Sequence, residues 1–458
     1  MCKYLLTAVL MIAGTLEATW EPDFRLTSSL SGQGPCTFSM RWLAAAGDNV
    51  HVIWGDRRDF NLDVYYKRST NGGATWRNDV NLADTSATSE WPTIAATGAN
   101  VYAAWTDDRA GNDEIFFRRS TNSGASWSSA VRLTFNDSIS YSPTLACWGE
   151  YVYLLWVDGR MRSEYQVFFK ISSDRGQTWT QDKELSESGK ALYPTIAVWD
   201  SMVHAAWVDE REVSYKVYYK HSFDRGVTWS SDMALSSRVG VFPSISVCGM
   251  GVHVVWTSIE GEVMYRGSAD GGRTWGPEVQ LSQPNFGSSS PTVYASGQLV
   301  HVAWQEDWYA PQSEIAYRLS RDYGNTWRGE ERLTYADGAS YLPSLTAEGE
   351  RVHLVWMDCR HGTTAEAYYK RNPDGNVPAI EEREPVGREV HMLMLVPNPS
   401  AGPAQSPGRE EEVFTVFDVS GRRVGRYYGR AIGNGLEPGV YIVHGQESGE
   451  AARFVKLR

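Results

Sequence analysis

The sequence predicts an all-β protein, a seven-bladed β-propeller followed by a small β-sandwich domain, on three observations. An eight-residue turn motif occurs six times at a spacing of about fifty residues. Each interval holds four short strand signals separated by turn residues, the content of one propeller blade. The fourth strand has one copy too few unless a segment ahead of the first blade is counted as the missing one.

The motif is clearest at Ser268-Ala269-Asp270-Gly271-Gly272-Arg273-Thr274-Trp275. Other copies run from Ser69 to Trp76, Ser120 to Trp127, Ser172 to Trp179, Ser222 to Trp229 and Ser320 to Trp327, and a seventh beginning at Asn372 loses its Thr and Trp. Its third position is Asn71, Asn122, Asp174, Asp224, Asp270 or Asp322, whose side chain can bond the backbone of its own turn. The Gly accepts a positive φ, and the Trp is expected to plug the turn into the core of its own unit. Such an octet pins a hairpin and carries no reaction. It resembles the Asp-box, or bacterial-neuraminidase repeat, of sialidase-like β-propellers. Because the sialidase ring has six blades, that resemblance makes six the alternative to seven.

The first strand follows Pro92, Pro143, Pro194, Pro243, Pro291 and Pro343, with Trp42-Leu43-Ala44-Ala45 as an earlier copy without Pro. The second is a V-[HY]-x-x-W run, from Val50 to Trp54 in the first copy and from Val352 to Trp356 in the last. The third is an aromatic run such as Asp63-Val64-Tyr65-Tyr66, and 19 Trp with 24 Tyr suit this half-buried pleated surface. The fourth ends at Leu82, Leu133, Leu185, Leu235, Leu281 and Leu333, usually before Ser or Thr.

The missing fourth strand is Phe24-Arg25-Leu26-Thr27. An N-terminal strand that completes the last blade removes the open edges of a linear array. Active sialidases carry an Arg in a similar N-terminal sequence, yet Arg-Leu-Thr recurs at Arg132 and Arg332, so Arg25 reads as a repeat residue. His51, His204, His253, His301 and His353 share one second-strand position, with Tyr102 and Tyr153 in its place elsewhere. Spread around a ring, they cannot converge on one metal and read as packed residues that satisfy a neighbour.

With 458 residues and 42% hydrophobic content the chain can bury several cores, since each repeat packs only on its neighbours. A net charge of −12 speaks against nucleic acid or an anionic membrane as the main partner. Residues 1–19 combine one Lys, an apolar run from Tyr4 to Leu16 and small residues near Ala18. They read as a secretory signal peptide, with a buried N-terminal segment as the alternative. No other run reaches the length of a membrane helix, so the mature chain is expected to be secreted or outer-surface associated. Of five Cys, Cys2 leaves with the signal, Cys147 and Cys248 read as small buried thiols, and a closing disulfide between Cys36 and Cys359 is left open. No metal-ligand spacing appears, and neither metal nor cofactor is expected.

The propeller is expected over residues 20–372, a Pro- and charge-rich linker over 373–388 and a separate domain over 389–458. That tail carries Pro397-Asn398-Pro399, Phe417-Asp418-Val419-Ser420-Gly421-Arg422 and Leu436-Glu437-Pro438-Gly439-Val440-Tyr441, and closes on Lys456 and Arg458. It resembles the C-terminal sorting domain of the type IX secretion system, which implies passage across an outer membrane and that secretion machinery as a partner. A generic small β-domain is the alternative.

Chemistry is expected on the face opposite the octets. There the loop after the second strand repeats W-x-D-x-R, giving Arg58, Arg109, Arg160, Arg211 and Arg360, each two residues after an Asp. Blade five has Ser258 and Glu260 there, and blade six Glu306 and Trp308. The bland reading ties each loop down with its own Asp–Arg pair; the sharper one is a partial ring of guanidinium groups facing an anionic ligand. Trp91, Tyr141, Tyr193, Phe242 and Tyr341, just before the first strands, either stack on sugar faces or plug the space between blades.

Resemblance to sialidases implies an Arg triad for a carboxylate, a Tyr nucleophile activated by Glu, and an Asp acid. Only the octets match that family residue by residue. The expected function is therefore an exported propeller that binds glycans or protein at its loop face, with an exo-α-sialidase or related glycoside hydrolase as the alternative. Three Arg from different blades converging near a Tyr–Glu pair would favour the enzyme. A purely structural surface protein is the third reading.

Overall fold

A computed structural model describes residues 20–27, 35–36 and 41–373, except 59–60, 161–163, 188, 212–213, 285–286, 310–311 and 363–364, together with four tail strands. The chain divides into two compact units, Met1–Ile380 and Glu381–Arg458. The expected signal peptide and most of the expected linker lie outside the described residues.

Seven antiparallel sheets make up the first unit, which is the seven-bladed reading and not the six-bladed one. Blade two is representative, with strands Ser89–Thr97, Asn100–Asp107, Glu114–Ser120 and Val131–Arg132. The second-strand tryptophans are at most 1% exposed in every blade, and the hydrophobic clusters join residues of adjacent blades. In the six blades that carry the Pro, the first strand has a register break there, as between Glu90 and Thr93, whereas Leu43–Ala46 of blade one pairs without one. The residue before that Pro has positive φ at Trp91, Ser142, Tyr193, Phe242, Ser290 and Leu342, a bulge that re-aims its side chain.

The N-terminal segment closes the ring. Phe24–Arg25 pairs antiparallel with the third strand of blade seven, Phe24 opposite Tyr369 and Arg25 opposite Tyr368. Arg25 is bonded to Glu366 at 2.8 Å, as Arg132 is to Glu114 at 2.7 Å, so Arg25 repeats a structural pair. Trp20 adds a contact that the strand count does not predict. Its ring meets Tyr317 edge-on at 5.4 Å, standing in for the Trp that the degenerate seventh octet lacks. Glu21 then holds Arg371 through two 2.7 Å bonds.

The octets work as expected at their turns but not at their tryptophans. Within the turn, Ser268 Oγ donates to Asp270 Oδ1 at 2.8 Å and Thr274 Oγ1 to Oδ2 at 2.7 Å. These bonds, with those of the turn amides, hold the Asp174, Asp224 and Asp270 carboxyls down to about 2. The Trp, however, does not enter the core of its own unit. Trp275 meets Tyr219 of the preceding blade edge-on at 4.8 Å, Trp127 meets Tyr66, and Trp76 meets Tyr369 across the ring closure. A Cβ on the octet Gly272 would lie 1.7 Å from the Tyr219 hydroxyl, so glycine is required for this close approach as well as for its φ of 83°. The octet thus joins neighbouring blades, because its hairpin leans over the gap between them.

The histidine column is packed as expected. His51, His204, His253, His301 and His353 each meet a tyrosine hydroxyl through Nδ1, at 2.6–2.8 Å. Burial keeps these rings neutral, pushing His51, His204 and His301 down to about 3 and His253 and His353 to about 4. Cys359 is a free thiol 4.0 Å from the Tyr341 hydroxyl, so the disulfide left open by the sequence does not form.

The described part of the tail is one antiparallel sheet, ordered Arg423–Tyr428, Val413–Asp418, Gly439–Gly445 and Ala451–Lys456. The Pro397-Asn398-Pro399 and Leu436-Glu437-Pro438 elements, and any second layer of the expected sandwich, lie outside the described residues.

Candidate functional site

Strand direction puts the loops after the second strands on the face opposite the octets, and there the five repeat arginines are held within their own blades. Arg160 bonds Asp158 at 2.7 Å and Asp182 at 2.8 Å, while its guanidinium stacks 4.3 Å from the Phe168 ring centroid. Lys170 reaches the other oxygen of Asp182 at 2.7 Å, which completes a quartet of two acids and two bases. The same quartet is formed by Asp56, Arg58, Lys67 and Asp79 in blade one and by Asp209, Arg211, Lys220 and Asp232 in blade four.

Blade seven completes its quartet of Asp358, Arg360 and Lys370 with Asp23, carried in by the closing strand. Burial opposes the charge of Arg58, Arg211 and Arg360, yet bonds to two carboxylates make each hold its proton more tightly than an ordinary guanidinium. In blade two the second acid is replaced by Ala130, and Arg109 pairs with Asp107 at 2.5 Å and with the Ala83 carbonyl at 3.1 Å. All five guanidiniums are therefore engaged by the Asp two residues before them.

The predicted aromatic residues fall into two sets, because the bulge separates positions that look alike in sequence. Trp91, Tyr193 and Phe242 occupy the positive-φ position and border a small pocket with Ser142 and the prolines Pro143, Pro194 and Pro243. Tyr193 and Phe242 pack at 4.9 Å. Tyr141 and Tyr341 stand one position earlier in the strand register, opposite Val157 and Met357. Tyr141 packs against Tyr165 at 5.6 Å, and Tyr341 against the core that joins blades seven and one.

Sequence reasoning missed Arg41. It occupies the column that is Pro in the six other blades, and it borders both this pocket and the central channel behind it. Nη2 of Arg41 donates to the Ile245 carbonyl across the channel. Burial among the inner strands holds its guanidinium down to about 10, although it keeps partial solvent contact. The missing Pro of the first blade was the signal that could have found it. The channel holds about 160 Å³ and is otherwise lined by small and apolar residues with Tyr294 and Thr346. Ligand pockets commonly span roughly 300–1,000 Å³, so this space suits the tip of a ligand better than a whole one. Among the described residues Arg41 is the one arginine lining it, and no group of three or more His, Cys, Asp or Glu is placed to hold a metal.

No family model and no curated protein matches the chain. Among solved structures, a GH93 α-L-arabinofuranosidase of Fusarium graminearum bound to arabinobiose is similar at 13% identity and TM-score 0.46, covering 62% of this chain and 92% of that one. YCF48 bound to D1 peptide is similar at 13% identity and TM-score 0.47, covering 77% and 94%. A Trypanosoma rangeli sialidase is similar at 11% identity and TM-score 0.46, covering 78% and 60%. The propeller assignment itself stands on this chain's own strand pairing.

Proposed function

We propose that this chain is an exported binding propeller that takes the anionic tip of a glycan or protein ligand at its channel mouth. One observation carries the reading: the Arg41 guanidinium, which also donates to the Ile245 carbonyl, lines the channel mouth beside Trp91, Tyr193 and Phe242. A guanidinium binds a carboxylate through paired donors, and the rings supply a stacking wall that excludes water. The signal-like residues 1–19 and the sorting-domain resemblance of the tail support export, with type IX secretion machinery as the partner in that step.

The reading is tested by screening the mature protein against glycan and peptide panels that include acidic and neutral forms of each ligand. Binding of an acidic form that weakens at least tenfold in both Arg41→Gln and Tyr193→Ala is expected. Binding that survives both substitutions places the site elsewhere. Fluorophore release from a sialoside that is lost in Arg41→Gln would replace the binding reading with the glycosidase alternative.

A further inference from the structure

Blade five is stripped of side chains at its octet end. The residue before the second-strand Val is Gly251 there and Asn, Tyr, Met, Leu or Arg in the six other blades. The residue before the octet is Gly267, against Arg, Ile, His or Leu elsewhere, and the residue after the octet Trp is Gly276, against Arg, Ser or Thr. The three lie close together across the blade. Gly267 stands opposite His253, two residues after Gly251, and the Gly276 amide donates to the Gly267 carbonyl at 2.9 Å. Sister blades make the same backbone bond, as from Ser128 to Arg119 and from Arg328 to Leu319, so the backbone is kept and only the side chains are missing. A Cβ on Gly276 would meet nothing nearer than the Gly267 carbonyl at 3.4 Å, and its φ is not positive, so neither space nor backbone demands a glycine there.

The missing side chains leave an open cavity of about 690 Å³. That is the size of a small-molecule site, which commonly spans roughly 300–1,000 Å³. Trp199 at the end of a blade-four strand, Met250 in the next turn and Tyr265 form its walls with Tyr323 from the octet of blade six, which leans over the gap. Tyr323 occupies an octet position that is Gly, Ser or Arg in the other copies, and it remains 57% exposed. None of the described residues lining the cavity is charged, so an ion entering it would lose hydration without gaining a partner. The Gly267 amide has also lost an acceptor. In blades two, three and four the hydroxyl of Ser128, Thr180 or Ser230 accepts from the amide at this position at 3.1 Å, and Gly276 has no hydroxyl to offer.

We propose that this cavity is a second binding site, for a small, neutral, mostly apolar molecule whose carbonyl or hydroxyl oxygen takes the place of the missing hydroxyl. The rings and the thioether hold the apolar body, and the Gly267 amide fixes its orientation through one hydrogen bond. The site is on the octet face, away from the channel mouth, and does not depend on the function proposed there.

The test is fluorescence titration of the full chain with three probes: prodan, a neutral naphthyl ketone; dimethylaminonaphthalene, which lacks the ketone; and the anion anilinonaphthalene sulfonate. Prodan is expected to bind saturably with one molecule per chain and a blue-shifted emission, about tenfold more tightly than either of the others. Gly276→Thr restores the side chain of blade three, and Tyr323→Ser the octet residue of blade two. Each should weaken prodan binding by about tenfold or more without lowering Tm, while Arg41→Gln leaves it unchanged. Binding undiminished in either cavity variant, or equal for all three probes, overturns the proposal. So does displacement of prodan by a tryptophan-containing pentapeptide that binds more tightly than prodan, or loss of prodan binding as the chain dimerises on concentration, because each assigns the cavity to a protein partner instead.

Discussion

At the scale of single residues the chain sets two opposite pH responses. The buried histidines have pKa values depressed well below the ordinary 6.5, so the stability they confer is complete above that value and is lost as pH falls through 4 towards 3. Melting temperature should therefore decline as pH drops below about 6.5, and His204→Gln should flatten that slope by up to one proton's worth. Glu330 runs the other way, because its pKa is raised: its contribution is present below the ordinary carboxyl value near 4.5 and is lost as pH rises through about 7. The Tm difference between Glu330→Gln and the parent should accordingly be larger at pH 8 than at pH 5. A constant difference across that range would show that Glu330 stays ionised throughout. The column of histidines was legible in the sequence as a repeat position. The Glu330 environment was not, because it depends on burial and on the Glu306 carboxyl brought near it by the fold.

Hairpins and strands carry the second set of expectations. Gly73 has φ 85°, and a Cβ there would lie 1.8 Å from the Tyr369 hydroxyl, whereas Gly98, at φ 55°, has open space around it. Gly98→Ala should cost about 1 kcal/mol, the strain of the left-handed backbone alone. Gly73→Ala should cost clearly more, because the backbone strain is joined by a clash with a buried side chain; equal costs in chemical denaturation would contradict the close approach. The tryptophans extend the same reasoning between blades. Trp20→Ala and Trp275→Ala should each destabilise by roughly 2–4 kcal/mol, since both remove an edge-on ring contact with a tyrosine of the neighbouring blade. The octets and their turns were legible because their chemistry is local. The destination of each Trp was not, because its partner belongs to another blade, as Tyr219 does for Trp275 and, across the ring closure, Tyr369 for Trp76.

For the whole molecule, closure rests on eight described residues, 20–27, which supply a strand, a ring contact and an acid at once. Removing them should lower Tm and open blade seven to proteolysis near Glu366–Asn372, while blades two to four keep their protection. Simultaneous loss of all blades would instead mean that the ring unfolds as one unit. Closure also decides charge. Asp23 completes in blade seven the quartet that blades one, three and four build from their own fourth strands.

By itself the sequence determined the number of blades, the strand that closes them and the conformation of the octet turns. Each of these follows from periodicity or from bonds within a few residues, and the motif carries them wherever it occurs. The tertiary structure alone decided three further points. The five repeat arginines turn back on their own blades, the aromatic residues divide at a bulge, and Arg41 reaches the channel mouth. Those outcomes depend on where a side chain points once neighbouring blades surround it, and a column of residue types does not record that direction.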